Sequence, residues 1–466
     1  MARQSAAWLK ADGHRFLLRR LEHALVRRDF AMHDDELRTQ SRSLLAGCGM
    51  AILAVAGCAI LALVRPQGAI GTEPIVMARE TGALYVRIDD TLHPVLNLAS
   101  ARLVAGAPAT PVAVGEADIA RAKRGPQVGI PGAPATVGAP LGDQSWTVCD
   151  DDLTVVAVGT APSVTDRLDA SRSVLVTPRG EPAAPTYLLY DGRRAEVDLR
   201  SAAVVRALRL DGVVPLPVSR ALLDLVPEVP AITAPAIDRL GTTGPKALGG
   251  VTVGTVVRVA RAESDEFYVV VAGGVQRVSE VAADLIRFAL PGRFDEVPTV
   301  APSAIAGARV VTVLPVEHLP QRAGVPIGDG ADLSVCAHWR SGAPDAHSNT
   351  VVLTGKSVVR GFQDSAITLG QADGDGPNVD LVVVPEGRSA HVRSVGILGG
   401  DGTTGTQFLV NEEGVVFGVR DQAAAGALGL SEPAPAPWPV LARLPRGPEL
   451  SSDAASVVRD AVSPPP

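Results

Sequence analysis

The sequence predicts an α+β protein, a single transmembrane helix followed by a body of four degenerate β-β-α repeats around a mainly β core domain. Three observations lead there. Residues 43–64 carry no charge between Arg42 and Arg65, and 22 residues at about 1.5 Å each are long enough to cross the hydrocarbon core of a bilayer once. Four later stretches each read as an aromatic-bearing strand, a turn, a second short strand and an apolar helix. Two further strand regions, each with one cysteine, fall between the first and second and between the third and fourth of these stretches.

The head, residues 1–42, precedes the span. Leu17, Leu18, Leu21, Ala24 and Leu25 recur at helical spacing and make an apolar stripe, with Arg19, Arg20, Arg27 and Arg28 for the rest of the surface. Such a helix reads as a docking element for a cytoplasmic partner, with Arg15, Phe16, Leu17, Arg19, Arg20, Leu21, Arg27 and Arg28 as its contact residues. A helix lying on anionic lipid is the compatible alternative. Arg27, Arg28, Arg38 and Arg42 outnumber Arg65 and Arg79 at the two ends of the span, so the head is expected inside and the body outside. A cleavable signal peptide has a short charged leader, and here 42 residues precede the apolar run. Val55-Ala56-Gly57-Cys58 and Leu45-Ala46-Gly47-Cys48 look like lipoboxes but sit wrongly within the span. Gly47, Gly49 and Gly57 suit close approach of a neighbouring helix. Beyond the head the chain holds 34 basic against 44 acidic residues, a balance that argues against nucleic acid as a ligand.

A linker (65–81) leads into the body (82–450), and a tail (451–466) ends the chain. The first repeat runs Leu84–Asp90, His93–Leu96 and Asn97–Leu103; the second Tyr187–Gly192, Ala195–Leu199 and Ser201–Val205. The third runs Phe267–Val271, a Gly273-Gly274 turn, Val275–Val278 and Ser279–Ile286; the fourth Phe408–Val410, Asn411–Gly414, Val415–Val419 and Asp421–Leu430. Asn, Ser or Asp ahead of each apolar run predicts a capped helix. Tyr85, Tyr187, Tyr268 and Phe408 are separated by 102, 81 and 140 residues, which excludes a uniform solenoid. Proline-rich runs at 107–114 and 228–235 read as linkers, and Ser463–Pro466 as a frayed end.

Cys48 and Cys58 lie in the span, and Cys149 and Cys336 in the body, where oxidation is permitted if the body is exported. A disulfide is the one intrachain pairing open to the latter two; free thiols, or a metal site with Cys336, His338 and His347, are the alternatives. The segments around them, Trp146–Cys149 with Thr154–Val158 and Leu333–Trp339 with Val351–Leu353, predict the core strands.

Catalytic constellations are missing from the sequence. Thr350–Ser357 ends like a phosphate-binding loop in Gly355, Lys356 and Ser357. Thr350 stands where the first glycine belongs, however, and β-branched residues fill the loop, so a strand ending in a turn is expected. Gly399–Gly405 reads as a loop, because a strand follows where phosphate binding needs a helix. Asp373–Asp380 lacks a calcium loop's distal glutamate and contains Pro377, and Asp150–Asp152 reads as a solvated turn. His93, His318, His338, His347 and His391 are scattered. No metal, no cofactor and no catalytic residue are expected; ATP is the weak alternative.

Gly13-His14-Arg15-Phe16-Leu17-Leu18-Arg19-Arg20-Leu21-Glu22-His23-Ala24-Leu25-Val26-Arg27-Arg28-Asp29, one span, then Arg65-Pro66-Gln67-Gly68, His93–Leu103, Val128–Pro134 and Ala436-Pro437-Trp438 closely resemble EccB. This family is a membrane component of actinobacterial type VII (ESX) secretion systems, and the resemblance covers essentially the whole chain. It implies a periplasmic body of four repeats about a core domain and a disulfide matching Cys149 and Cys336. It also implies location in the inner membrane, self-association, and assembly with EccC, EccD, EccE and the mycosin protease. EccC is that system's recognised motor ATPase, and although EccB proteins are sometimes labelled ATPases, no family motif here supplies catalytic residues. The resulting expectation is a structural and assembly subunit, with an ATP-hydrolysing subunit as the alternative.

Overall fold

The computed structural model describes residues 3–27, 33–64, 71–162, 165–181, 183–262, 264–290, 297–328, 333–342, 348–399 and 404–459. The chain divides into two compact units, residues 1–71 with 113–119, and the remainder. In the first, one helix covers Arg3–Arg27 and a second covers His33–Val64. Ser43–Ile60 within the latter is apolar enough to cross a membrane, with a mean hydropathy of 2.1 and none of its side chains buried. The helix thus starts ten residues before the uncharged run and passes through the expected boundary at 43.

In the second unit each of the four stretches folds as a hairpin followed by a helix. The hairpins are Leu84–Ile88 with Thr91–Val95, Thr186–Tyr190 with Arg193–Val197, Glu266–Val271 with Gly274–Val278, and Gln407–Val410 with Val416–Val419. The helices are Leu98–Ala105, Ala202–Ala207, Glu280–Ala289 and Gln422–Leu428. Each begins at the residue that predicted it. The side chains of Asn97, Ser201, Ser279 and Asp421 accept from the backbone N–H of Ser100, Val204, Ala282 and Ala424, satisfying a donor that helix geometry leaves open.

Each stretch is larger than β-β-α. A strand precedes every hairpin and pairs antiparallel with its first strand: Ile75–Ala78, Arg172–Pro178, Val256–Val259 and Arg388–Val395. After the helix, in the last three stretches, the chain returns parallel to that leading strand, through Leu216–Val218, Thr299 and Ala434–Pro437. A short helix follows at Arg220–Leu225, Pro302–Ala306 and Trp438–Leu441, as Glu116–Arg121 does in the first stretch. The chain then runs parallel to the second hairpin strand, at Val128 against Val95, Glu228–Val229 against Arg194–Ala195, Val310 against Val275, and Arg446 and Leu450 against Val416 and Val419.

Four expected segments therefore change. The linker placed at 65–81 holds the strand Ile75–Ala78, with Ile75 and Val76 fully buried. The runs placed at 107–114 and 228–235 hold the strands Val112–Val114 and Glu228–Val229. The tail placed at 451–466 is folded through 459: helix Ser452–Ala455 is capped by Ser451, and Val458–Arg459 pairs with Gln127–Val128. Ser463–Pro466 lie outside the described residues.

The stretches associate in pairs. Helices Ala202–Ala207 and Glu280–Ala289 pack together, and Ala207, Leu208, Val281 and Leu285 share one apolar core. Leu98–Ala105 packs on Gln422–Leu428, with Ala99, Leu103, Ala425 and Leu428 in another. Small alanines on both partners let the helices approach closely.

The core sheet joins distant parts of the chain in the order Asp166–Arg167, Asn349–Lys356, Leu333–Arg340, Trp146–Asp150, Thr154–Val158, Leu381–Val383, Ile367–Thr368. All its pairings are antiparallel except Leu381–Val383 on Thr154–Val158. Cys149 and Cys336 lie directly opposite across the central pair and form a disulfide, with Cα atoms 4.0 Å apart. Trp146 faces Trp339 in the same register; both are fully buried, and the Trp339 indole N–H donates to the Ile397 carbonyl at 2.8 Å.

The disulfide closes a loop of 187 residues, for which chain entropy gives at most about 5 kcal/mol. A Cys149→Ala, Cys336→Ala variant is expected to lose about 2–5 kcal/mol in denaturant unfolding relative to the oxidised protein.

Two histidines of this body are withdrawn from solvent, His391 buried and His338 half-buried. Burial pushes the imidazole of His338, bonded to Thr147 Oγ1 at 2.8 Å, below its usual pKa, as it does for His391, which donates to the Ser431 carbonyl. The unfolded chain takes up these protons first, so stability is complete above an ordinary histidine pKa of about 6.5 and falls as pH drops below it. Thermal unfolding followed from pH 7.5 to 5 is expected to show this slope, and His338→Gln with His391→Gln to flatten it.

Candidate docking and membrane site

The head helix contains good helix formers (Ala, Leu, Arg) and no proline, and tolerates Gly13 at a cost of about 1 kcal/mol. Leu17, Leu21 and Ala24 fall on one side of it, with Leu18 and Leu25 adjoining. Phe16, Leu17, Leu18, Leu21, Leu25 and Val26 are each more than half exposed. Arg15, Arg19 and Arg20 are exposed on its other faces. The side chain of Arg27 and all of Arg28 lie outside the described residues. Covering one such leucine is worth about 1.5–3 kcal/mol, so a continuous uncovered apolar stripe is the mark of an interaction surface. The span adds a second apolar surface, with Gly47, Gly49 and Gly57 among larger exposed side chains.

The phosphate-loop-like residues are placed differently. Asn349–Lys356 is one strand of the core sheet, in which Gly355 lies opposite Ser334 and Lys356 opposite Leu333. Ser357 follows with φ +51°. Its backbone amides run along a ladder, whereas a phosphate cradle turns several of them toward one point. Thr350 is buried and donates to the Leu225 carbonyl at 3.1 Å.

Among the described residues no group of three or more His, Cys, Asp or Glu is arranged to hold a metal ion. His93 bonds the Pro126 carbonyl, far along the chain from the partners of His338 and His391; His347 and Gly400–Thr403 lie outside the described residues.

Sequence reasoning missed one buried polar node. Asp150, read as part of a solvated turn, is 1% exposed at the end of the fully buried strand Trp146–Asp150. It accepts from Thr154 Oγ1 at 2.6 Å and Ser219 N at 2.7 Å. Burial pushes its carboxyl above the ordinary range, against the pull of those donors and of Arg179. Asp380, at the end of the supposed calcium loop, is equally buried and accepts from the backbone N–H groups of Thr154, Asp373 and Gly374. Arg179 donates to the carbonyls of Gly374, Asp151 and Pro217. The node spends its hydrogen-bonding capacity on tying the second stretch to the core sheet; the signal for it was a carboxylate ending an otherwise buried strand.

Comparison with known proteins identifies the family. Residues 3–464 match the family described as "Type VII secretion system ESX-1, transport TM domain B". Among curated relatives, "ESX-3 secretion system ATPase EccB3" of Mycolicibacterium smegmatis is 36% identical over 97% of this chain and 91% of its own length. "ESX-1 secretion system ATPase EccB1" of Mycobacterium tuberculosis is 32% identical over 97% and 94%. A chain of an intact ESX-5 inner membrane complex superposes with a TM-score of 0.73 at 29% identity, covering 98% of this chain and 96% of that one. A chain of the EccB3 dimer from the ESX-3 core complex gives 0.72 at 33%, covering 83% and 100%. Matched from end to end by the family and by relatives above 30% identity, the chain belongs to the EccB family of type VII secretion components.

Proposed function

We propose that this chain is a structural and assembly subunit of a type VII secretion inner-membrane complex, supporting protein export. The observation that carries this reading is the uncovered apolar stripe of the head helix, set ahead of a membrane span. The arginine balance around the span puts the head in the cytoplasm and the body in the periplasm. There we read the four hairpin–helix stretches as degenerate copies of one module. EccC, EccD, EccE and the mycosin protease are the partners that the family resemblance implies. Self-association belongs to the same reading, since a relative is known as a dimer. Reversing charge at Arg19 and Arg20 (Arg19→Glu, Arg20→Glu) is expected to lower recovery of the complex from native membranes in mild detergent several-fold. Undiminished recovery, with the protein at normal abundance, would remove the head from the docking role.

A second reading, ATP hydrolysis, is favoured by the word ATPase in the names of the relatives. Lys356 is the residue it would need. The expected outcome is that purified full-length protein and its Lys356→Ala variant show the same turnover, at background. A rate that the variant abolishes would establish the enzyme.

A further inference from the structure

We propose that Arg309–Val313 is the edge at which two copies of this chain meet, by antiparallel pairing of the segment with itself about a two-fold axis. This rests on the self-association proposed above and assigns it to one surface.

The segment is held rigidly from its inner side. Val275 donates its N–H to the Arg309 carbonyl at 2.8 Å, and Val311 donates to the Val275 carbonyl at 2.9 Å. Gly274, at φ +153°, makes that approach possible, because a Cβ there would collide with the Arg309 carbonyl oxygen. Gln276, 3% exposed, then acts as a substitute strand. Its Oε1 accepts from Val313 N and Leu314 N at 2.8 and 2.7 Å, and its Nε2 donates to the Leu314 carbonyl at 2.8 Å.

The outer side is open. Arg309 and Val311 turn their polar backbone groups inward, so strand alternation turns those of Val310 and Thr312 outward. No described residue pairs with them. Val310 and Val313 are 60% and 63% exposed, and Arg309, exposed at the start of the segment, is its one charge; in the self-paired register it would face Val313 of the partner subunit rather than a like charge. A rigid, mostly apolar edge with a charge at one end only is what proteins elsewhere cover.

A second copy fits this edge. Placing Val310 opposite Thr312 of the partner subunit makes two hydrogen-bonded pairs, symmetric about Val311, and four backbone hydrogen bonds. The adjoining groove, about 1050 Å³, is lined by both Glu266 and Glu280 and Arg277 and Arg322, so it can face its own image without a clash of like charge.

The test uses full-length protein in detergent. Val310→Lys with Val313→Lys is expected to raise the homodimer dissociation constant by on the order of tenfold or more with thermal unfolding unchanged. Val311→Cys, in a Cys48→Ser, Cys58→Ser background, is expected to give a covalent dimer on mild oxidation, because non-hydrogen-bonded cross-strand Cα atoms lie about 4.5 Å apart. Full dimerisation of the lysine variant, or no cross-link in a dimeric cysteine variant, would overturn the assignment and leave self-association standing. Loss of a heterologous partner with the homodimer intact would give the edge to another protein and also overturn it. A wild-type protein that is monomeric throughout would overturn the proposed self-association itself.

Discussion

The architecture of the body depends on one long-range contact, the antiparallel pairing of Trp146–Asp150 with Leu333–Arg340. These strands come from separate insertions between stretches, 187 residues apart at the cysteines. Their register sets Trp146 against Trp339 and Cys149 against Cys336. A slip of one residue would turn each side chain to the other face and lose both pairs. Around that seam the second and third stretches join through one helix pair and the first and fourth through another. The core sheet therefore lies in the chain where nested pairing requires it, and the Asp150–Arg179–Asp380 node fixes the second stretch to it.

Polar chemistry in this molecule serves geometry. Asp150 and Asp380 are buried carboxylates, and their oxygens accept from Thr154, Ser219, Asp373 and Gly374. Gly355 and Lys356 have the residue types of a phosphate loop, and their backbone belongs to a sheet. Apolar side chains are instead left uncovered at the head, along the Ser43–Ile60 helix and at the Val310 edge. That distribution is what a family of inner-membrane complex components requires.

Much of this was legible from particular residues. The hairpins were, because Gly273-Gly274 and Asn411–Gly414 mark turns between β-branched runs; the helices were, because Asn97, Ser201, Ser279 and Asp421 announce their first turns. The outer strands were not. Leu216-Pro217-Val218 and Ala434–Pro437 are short and contain proline, which ordinarily argues for a loop, and they are strands only because a neighbour parallel to them supplies the bonds. Burial of Asp150 was not legible either, because its neighbours Asp151 and Asp152 suggest a solvated turn and its partner Ser219 lies 69 residues away. Val458–Arg459 carries no strand signal, because two residues have no periodicity to detect.

The pairing of Val458–Arg459 with Gln127–Val128 bears on when the body can finish folding. The first stretch emerges from the ribosome long before the strand that completes its sheet, because Val458 follows its partner Val128 by 330 residues (458 minus 128). At roughly 5–20 residues per second, that sheet edge waits for tens of seconds, and the core seam waits for part of the same interval. The order of synthesis and the order of assembly are opposed, so a chain stalled before Val458 leaves an open edge on a stretch made long before.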